Sequence, residues 1–241
     1  MNFHPLPFYD ERRTQIDLLL YHCSAQHTDE MLANLQSNQL SCHYIIDTDG
    51  HITQVVPEDK RAWHAGLGSW REIKEDVNSH AIGIELTSLS MGQEPYSQSQ
   101  IETLITLSKE IIHRYQIKPQ NIIGHSDSAP IRKPDPGKSF PWQYLAQNGI
   151  GLWYDLKDAA DAPTQDVRKL LSDIGYDTRD DLTFKAAQYA FARHFIPQLV
   201  QNVDDIGFLL DNVFPPETDF RTDERFITTA QAVYMRFKLD Y

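Results

Sequence analysis

Residues 121–140, NIIGHSDSAPIRKPDPGKSF, are the stretch that most constrains how this chain can fold. The apolar pair Ile122 and Ile123 predicts the end of a buried strand, and His125 stands where that strand would stop. Asp135 follows ten positions later between two prolines, whose rings fix φ and remove backbone donors. A rigid loop that carries a carboxylate near a strand-end imidazole is typical of a preformed metal site. A surface turn rich in proline and charge is the alternative explanation.

Two earlier segments also predict buried strands that carry chemically active side chains. Residues 18–21, LLLY, form a short apolar run that ends at His22. Residues 81–86, AIGIEL, place Glu85 inside a β-branched strand, where a carboxylate costs free energy unless it is paired or used in catalysis. The alternative for Glu85 is the exposed face of an edge strand.

The order of the predicted elements indicates an α/β fold. Alternating apolar residues flank Asp49-Gly50, the strongest short-range signal for an antiparallel hairpin. Helices are predicted at residues 27–36 and 141–147 from their start signals and at residues 97–115 from its apolar period. We therefore expect a mixed central β-sheet flanked by helices. Open sheets place their sites at the carboxyl ends of strands, where His22, Glu85 and His125 are predicted to lie.

The chain is expected to contain two domains of different class. Residues 1–155 form the predicted α/β domain, and DLKDAADAP at residues 155–163 predicts a linker. Residues 164–241 form a small helical domain, which is near the lower size limit for an independent core and is expected to lean on the first domain. Its predicted helices begin near Val167, Leu182 and Phe226, with an irregular segment at residues 208–220.

Composition excludes several classes of partner. The net charge of −12 argues against a nucleic-acid backbone and against an anionic membrane surface as the main partner. No apolar run approaches the length of about eighteen residues that predicts a transmembrane helix. The N-terminal residues lack the features of a secretory signal, so we expect a cytoplasmic protein, with a periplasmic or outer-membrane-anchored location if an export segment had been removed. Cys23 and Cys42 are expected to be buried free thiols.

His22, His125 and Asp135 together form a donor set that suits zinc. Three protein ligands leave a fourth tetrahedral position for water, which is typical of a catalytic site. Glu85 is a candidate for moving the proton of that water, and Lys133, two residues before Asp135, for stabilising an oxyanion. The chain contains ten histidines, so the histidine pair alone is a modest signal.

A glycine-rich loop, RAWHAGLGSW, follows the predicted hairpin and carries Trp63, His64 and Trp70. Aromatic side chains in such a loop suit the face of a sugar or a peptide, although a packed loop explains them equally well. No competing catalytic motif occurs in the sequence, since GxSxG, the P-loop, GxGxxG and HExxH are all absent.

Six motifs occur in order along the chain: LYHCS, SCHYIIDTDG, RAWHAG, the IGIEL strand preceded by Asn78, IIGHSDSAP and RKPDPG. Together they resemble the zinc-dependent N-acetylmuramoyl-L-alanine amidases, which share the fold of the peptidoglycan recognition proteins. The resemblance covers residues 22–155 and is strongest to the bacterial muropeptide-recycling and outer-membrane lipoprotein amidases. In the second domain, VRKLLSDIGYD and AAQYAFARHFIP resemble a peptidoglycan-binding three-helix module.

This resemblance implies a reaction and a set of roles. The implied reaction is hydrolysis of the amide bond between the lactyl group of N-acetylmuramic acid and L-alanine. One zinc ion per chain would be held by His22, His125 and Asp135. Glu85 would be the catalytic carboxylate, and Lys133 the second catalytic or oxyanion-stabilising group.

The resemblance also implies a substrate groove for peptidoglycan or a muropeptide. Trp63, His64 and Asn78 would border it, and Arg132 is one of several cations that could bind the carboxylates of the stem peptide. His43 occupies a family position, either as a substrate contact or as buried support. Two alternatives stay open: a recognition module that binds peptidoglycan without cleaving it, and a zinc peptidase that acts on stem peptides.

Overall fold

The computed structural model describes residues 1–205 and 219–239. The described strands are β1 (Asn2–Phe3), β2 (Tyr9–Glu11), β3 (Leu18–Ser24), β4 (Tyr44–Ile46), β5 (Ile52–Gln54), β6 (Lys60–Ala62), β7 (Ser69–Trp70), β8 (Ile73–Lys74), β9 (Ala81–Thr87) and β10 (Ile122–Gly124). The described α-helices are α1 (Thr28–Asn38), α2 (Val77–His80), α3 (Gln98–Tyr115), α4 (His125–Ser128), α5 (Trp142–Gln147), α6 (Val167–Ile174), α7 (Asp181–Phe195) and α8 (Glu224–Leu239). Short 3₁₀ helices cover Pro119–Asn121, Leu156–Asp161, Pro197–Val200 and Phe220–Thr222.

A six-stranded mixed sheet in the order β1-β5-β4-β9-β3-β10 forms the centre of the fold. Its neighbouring strands are parallel except for the β4–β5 hairpin, which is antiparallel. The hairpin turns at Gly50, whose φ of +85° lies in the left-handed region that favours glycine. The predictions of this hairpin and of a mixed sheet flanked by helices are therefore confirmed.

The pleat of the sheet decides which side chains share a face. Along β3, Leu19 packs in the core formed with α3, whereas Leu20 packs in the core formed with α6, α7 and α8. His22 has the same parity as Leu20, so it lies on the face turned away from α3. Glu85 pairs with His22 in the parallel β3–β9 ladder and points to the same face.

The helix over residues 97–115 was predicted from its apolar period, and the structure confirms it as α3. Ser97 precedes the helix, and its Oγ accepts a hydrogen bond from the backbone N–H of Gln100, which satisfies one of the free donors of the first turn. The helix ends at Gln116 in the left-handed conformation. Its buried apolar residues are Ile101, Leu104, Leu107 and Ile111. The predicted helices at residues 27–36 and 141–147 correspond to α1 and α5.

The C-terminal helices α6, α7 and α8 share a hydrophobic core with the sheet and its loops. Leu20 and Trp70 from the first region lie in one cluster with Phe191 and Phe226 from the helices. This shared core agrees with the expectation that the helices lean on the first region, although the division at residues 155 and 164 remains a prediction. Residues 155–163, predicted as a linker, contain a 3₁₀ helix that packs against α8. Most of the irregular segment predicted at residues 208–220 lies outside the described residues.

Two predictions from composition can be compared with the structure. Cys23 and Cys42 are both buried and free, as expected. Across residues 1–205 and 219–239, no helix has both the length and the apolar character that crossing a bilayer requires.

Candidate functional site

The two histidines and the aspartate singled out in the sequence lie together in a buried group, here called the ligand cluster. His22 lies in β3, His125 begins α4 directly after β10, and Asp135 lies in the proline-rich loop. Nδ1 of His22 is 2.9 Å from Nδ1 of His125. Oδ2 of Asp135 is 3.3 Å from the first of these nitrogens and 3.1 Å from the second. The three residues are only 1%, 3% and 5% exposed, respectively, so their ligand atoms are withdrawn from bulk solvent.

Hydrogen bonds on the far side of the imidazoles bear on where the protons lie. Nε2 of His125 is 2.9 Å from the carbonyl oxygen of Ala65, which can only accept, so this nitrogen carries a proton. Nδ1 of the same ring lies 3.1 Å from a carboxylate oxygen of Asp135, so both ring nitrogens of His125 face acceptors. Either a second proton on this ring or a metal cation would satisfy that arrangement.

Burial and neighbouring charges shift the pKa values of two members of the cluster. Burial, together with the charge of His125, lowers the pKa of His22 to about 4, so this imidazole is neutral at neutral pH. Burial alone would raise the pKa of Asp135, but His125 and His22 hold it well below its usual range. Asp135 is therefore an ionised, acceptor-only ligand.

The spacing of the ligand atoms fits a four-coordinate metal ion. Ligands at about 2.0–2.1 Å around a tetrahedral ion lie roughly 3.3 Å from one another. The three observed separations are 2.9, 3.3 and 3.1 Å. Among the described residues, His22, His125 and Asp135 are the group of potential ligands whose donor atoms converge in this way. Two nitrogens and one oxygen would leave one coordination position for another ligand.

The loop after β6 orients one of the ligand histidines. The carbonyl of Ala65 accepts from His125 and also from Nη2 of Arg132, at 2.9 and 3.2 Å. The same guanidinium donates to a second carbonyl of the loop. Oδ1 of Asn78 accepts from the backbone N–H groups of His64 and Ala65, at 3.1 and 2.8 Å. The described contacts of Asn78 and Arg132 therefore hold this loop.

His64 supports the other ligand histidine. Its Nδ1 lies 3.0 Å from Nε2 of His22, on the side of that ring opposite the ligand cluster. Burial, reinforced by the charge of His22, holds the pKa of His64 well below its ordinary value, so the ring is neutral. The ring fits because residue 83 is a glycine: a Cβ atom at Gly83 would lie 2.5 Å from Nδ1 of His64. Nε2 of His64 has no hydrogen-bond partner among the described residues.

Glu85 lies on a central strand, not on the edge strand that was the alternative from sequence. β9 pairs with both β3 and β4, and Glu85 stands opposite His22 in the first of these ladders. Burial, with a contribution from the negative charge of Asp135, raises the pKa of Glu85 to about 8. Its Oε2 atom is buried without a hydrogen-bond partner in the described part of the chain. A buried carboxylate with a raised pKa and an oxygen without a hydrogen-bond partner is typical of a functional position.

A cavity of about 350 Å³ opens over the ligand cluster. Seven of the residues singled out from sequence line it, namely His22, Trp63, His64, Glu85, His125, Lys133 and Asp135. Nε1 of Trp63 is a further buried donor for which the described residues supply no partner. The cavity therefore contains the candidate metal ligands, a carboxylate oxygen of Glu85 without a described partner, and ring nitrogens of Trp63 and His64 without described partners.

Three residues predicted to contact substrate, Asn78, Arg132 and His43, do not line this cavity. His43 is fully buried, its Nδ1 accepts from the backbone N–H of Gly83 at 3.0 Å, and its Nε2 lies 3.1 Å from the carbonyl of Lys60. These contacts tie His43 to strands β9 and β6. Contact of Asn78, Arg132 or His43 with substrate stays a prediction.

One wall of the cavity was missed in the sequence. It is apolar and comes mainly from α1 and the residues that follow it, with Met31, Leu35, Leu40 and Met91 as its members. Leu40 is 45% exposed, which is unusual for a leucine next to a buried strand. The sequence did carry a signal for this wall, because α1 contains more apolar residues than the two that it buries, Met31 and Leu32.

Comparison with known proteins gives a consistent result. Residues 12–138 match the family described as Amidase_2, N-acetylmuramoyl-L-alanine amidase. The N-acetylmuramoyl-L-alanine amidase AmiD of Escherichia coli is 38% identical over 218 residues, which cover 79% of this chain and 79% of AmiD. The 1,6-anhydro-N-acetylmuramyl-L-alanine amidase AmpD of Enterobacter cloacae is 45% identical over 103 residues, which cover 43% of this chain and 54% of AmpD.

A solved structure supports the same similarity over nearly the whole chain. It is the complex of E. coli AmiD with the substrate anhydro-N-acetylmuramic acid-L-Ala-D-γ-Glu-L-Lys. The match has a TM-score of 0.73 and 32% sequence identity, and it covers 95% of this chain and 97% of that chain. The likeness therefore includes the C-terminal helices as well as the sheet.

Proposed function

Because the chain belongs to the N-acetylmuramoyl-L-alanine amidase family, we propose that it is a zinc enzyme acting on peptidoglycan or muropeptides. It hydrolyses the amide bond between the lactyl group of N-acetylmuramic acid and L-alanine. The observation that carries the proposal is the ligand cluster, where two imidazole nitrogens and a carboxylate oxygen lie 2.9–3.3 Å apart beneath an open cavity.

The residues of the ligand cluster suit one zinc ion per chain. His22 and His125 would bind through Nδ1 and Asp135 through Oδ2. Each histidine has a contact on its far nitrogen, to His64 and to the carbonyl of Ala65, which keeps the imidazole oriented. When bound, zinc supplies a Lewis acid that polarises a carbonyl and lowers the pKa of coordinated water to about 7.

Glu85 takes the role of general base and then general acid. It faces the cavity from the strand beside His22, and its unpaired Oε2 is free to accept a proton from the attacking water. Burial raises its pKa to about 8 in the metal-free chain, and a cation beside it favours the ionised form. Glu85 then delivers the proton to the amine of L-alanine as the amide bond breaks.

Lys133 and His64 stabilise the charge that develops on the lactyl carbonyl oxygen. Lys133 is partly buried at the cavity and lies two residues before the ligand Asp135, so its ammonium approaches the same space. In the tautomer that accepts from His22, His64 carries its proton on Nε2, which has no other described partner. Donors that are held in place before reaction cost no reorganisation when the oxyanion forms.

The walls of the cavity offer aromatic, hydrogen-bonding and apolar groups that suit the parts of a muropeptide. Trp63 offers an aromatic face to a sugar ring, and its unpaired Nε1 can donate to a hydroxyl or an acetamido group. The apolar wall of Met31, Leu35 and Leu40 suits the methyl groups of the lactyl and alanyl units. AmiD binds an anhydro-muropeptide in its complex, and we propose the same substrate class for this chain.

The proposed reaction predicts a defined set of products. Purified protein with one equivalent of zinc is incubated with an anhydro-muropeptide and, separately, with whole sacculi, and both digests are analysed by mass spectrometry. An intact stem peptide that begins with L-alanine supports the proposal. A shortened peptide would instead identify a peptidase, and unchanged material a binding module, and either result contradicts the proposed function.

The compartment is proposed to be the cytoplasm. Cys23 and Cys42 are buried and unpaired, which agrees with a reducing compartment. Fractionation of cells that produce the full gene product tests this location. Recovery in the periplasm or with the outer membrane would contradict it.

A further inference from the structure

We propose that the C-terminal helices position the metal-ligating segments of this chain through two buried polar contacts, made by Asp127 and Lys138. The proposal rests on the proposed function, because it concerns the same zinc ligands. It gives Tyr176 after α6, His194 in α7 and the residues that follow α7 a task inside the site-bearing region, separate from any contact with glycan.

The first contact fixes the segment that carries His125. Asp127, two residues later, is fully buried. Its Oδ2 accepts from the backbone N–H of Gly124 at 2.8 Å, which closes the turn between β10 and α4. The same carboxylate accepts from Tyr176 and His194, the first through Oδ1 at 2.7 Å and the second through Oδ2 at 2.9 Å. Both donors come from the C-terminal region, so Asp127 joins that region to the turn before His125.

The second contact fixes the loop that carries Asp135. Lys138, three residues later, is 7% exposed. Its Nζ donates to the backbone carbonyls of Gln201 and Val203, at 2.8 and 2.9 Å. In the same loop, the backbone N–H of Ser139 donates to the carbonyl of Gly92 at 2.9 Å. Nε2 of the neighbouring Gln93 donates to Asp205 at 3.2 Å. The residues that follow α7 therefore anchor this loop from outside.

The architecture of the sheet explains why these two ligands need such support. His22 lies in β3, a seven-residue strand that is paired along both edges. His125 follows β10, which has three residues and forms the edge of the sheet. Asp135 lies in a loop with no strand partners. The two ligands on weakly anchored segments are the two whose segments contact the C-terminal region.

The contacts are specific in direction and cannot be replaced by apolar packing. The shared core fixes the helices against the sheet, but it places no constraint on the Asp127 carboxylate or the Lys138 ammonium. If a donor is removed, its buried partner keeps its desolvation cost, so the segment shifts until the partner reaches water. Such a shift moves His125 or Asp135 relative to His22.

The test measures release of zinc from the protein. Tyr176→Phe removes the hydroxyl donor to Asp127, and Lys138→Met removes the ammonium with little change in size. The matched control is Gln188→Met, because Gln188 is 1% exposed and its Oε1 accepts only within the C-terminal region, from the N–H of Phe220 at 2.8 Å. Each protein is loaded with one equivalent of zinc and mixed with an excess of a chromogenic chelator.

Both variants are expected to release zinc at least about tenfold faster than the wild-type protein, the lower end of the range seen when groups that orient metal ligands are lost. The Gln188→Met control should release zinc at the wild-type rate. Release from Tyr176→Phe and Lys138→Met within twofold of wild type would overturn the proposal. So would equal acceleration in the Gln188→Met control, because that result would assign the effect to general loosening of the helices.

Hydrogen exchange of the zinc-free proteins tests the same two contacts without a metal. In the zinc-free proteins, peptides that cover residues 122–128 should exchange faster in Tyr176→Phe, and those that cover 134–140 faster in Lys138→Met, with neither changed in Gln188→Met. Unchanged exchange in both variants contradicts the proposal. Amidase turnover of the wild-type preparation is recorded in parallel. If the wild-type protein turns over substrate and the variants release zinc at the wild-type rate, only the positioning role is overturned. If the wild-type protein shows no turnover, the result counts against the proposed function.

Discussion

Two buried histidine–aspartate groups lie side by side in this protein. They differ in whether their hydrogen-bond donors match their acceptors. In the ligand cluster, both ring nitrogens of His125 face acceptors, Nε2 the carbonyl of Ala65 and Nδ1 a carboxylate oxygen of Asp135. In the second group, here called the Asp127 cluster, every short contact pairs a donor with an acceptor: Tyr176 and His194 both donate to Asp127. Burial raises the pKa of Tyr176 well above its usual value, so the hydroxyl keeps the proton that it donates.

The comparison shows that burial and residue type do not separate a metal site from a structural network. Both groups are almost completely buried, and Asp127 lies two residues after His125 in sequence. What separates them is whether donors balance acceptors. A balanced group completes itself, whereas a surplus of acceptors calls for a cation.

Removing a ligand should separate the two clusters most strongly. His22→Ala is expected to bind no stoichiometric zinc and to lose at least about a thousandfold in kcat/KM, because a bound metal contributes several kcal/mol to the transition state. His194→Phe in the Asp127 cluster should still bind one equivalent. Zinc content by elemental analysis and turnover of an anhydro-muropeptide provide the measurements. Full zinc occupancy in His22→Ala would erase the distinction between the clusters.

Glu85→Gln should remove activity and leave the metal in place. The amide cannot accept the proton of the attacking water, so turnover should fall by roughly 10²- to 10⁴-fold, the usual contribution of a general base. Zinc content should stay at one equivalent, because Glu85 is not a member of the ligand cluster. Glu94→Gln, at an exposed position, serves as the matched control and should retain wild-type turnover. Wild-type turnover in Glu85→Gln would refute the assigned role.

Disrupting the Asp127 cluster should appear in stability. His194 stacks between Trp142 and Phe195, with ring centroids 3.8 and 4.0 Å away. His194→Phe preserves this stacking and removes the donor to Asp127, so the free energy of unfolding should fall by about 1–3 kcal/mol. Urea denaturation of the zinc-loaded proteins measures the change. The exposed His113→Phe is the control, with a change expected within about 0.5 kcal/mol; equal losses in both variants would contradict the prediction.

The pH dependence of stability should reveal the strained carboxylate of Glu85. Its pKa rises from 4.5 to about 8 on folding, so between these values the folded chain binds more protons than the unfolded chain. Stability of the metal-free wild type therefore falls as pH rises through this window. Glu85→Gln lacks this loss, so its stability relative to wild type should increase with pH, by at most about 1.4 kcal/mol per pH unit.

Urea denaturation in EDTA at pH 5 and pH 8 measures the difference between the two proteins. The changed pKa of His22 is common to both proteins and cancels from the comparison. A difference that stays constant or decreases with pH would show that Glu85 is not destabilised when it is ionised.

The sequence predicted much of the sheet and the ligand cluster because their signals are local. Apolar runs marked β3, β9 and β10, and the paired prolines marked the loop of Asp135. Period-two alternation within the strands then accounts for His22 and Glu85 sharing one face. The alternative of an edge strand for Glu85 failed because the order of strands depends on pairing between distant segments, which no local pattern records.

The Asp127 cluster could not be predicted in this way. Asp127 stands in the recognised motif IIGHSDSAP, but its partners Tyr176 and His194 lie 49 and 67 residues away in sequence. Nothing near His194 in sequence indicates a carboxylate partner. Asn78 and Arg132 were predicted at the substrate groove, and their contacts to the backbone of the loop are likewise set by tertiary packing.

Gly83 supports the ligand cluster indirectly, through the ring of His64. The residue contacts no metal ligand, and its missing side chain is the space that the ring of His64 occupies. A single methyl group at this position would displace that ring and leave Nε2 of His22 without its neighbour. How tightly this protein would hold the proposed zinc ion therefore depends partly on a residue that has no side-chain chemistry of its own.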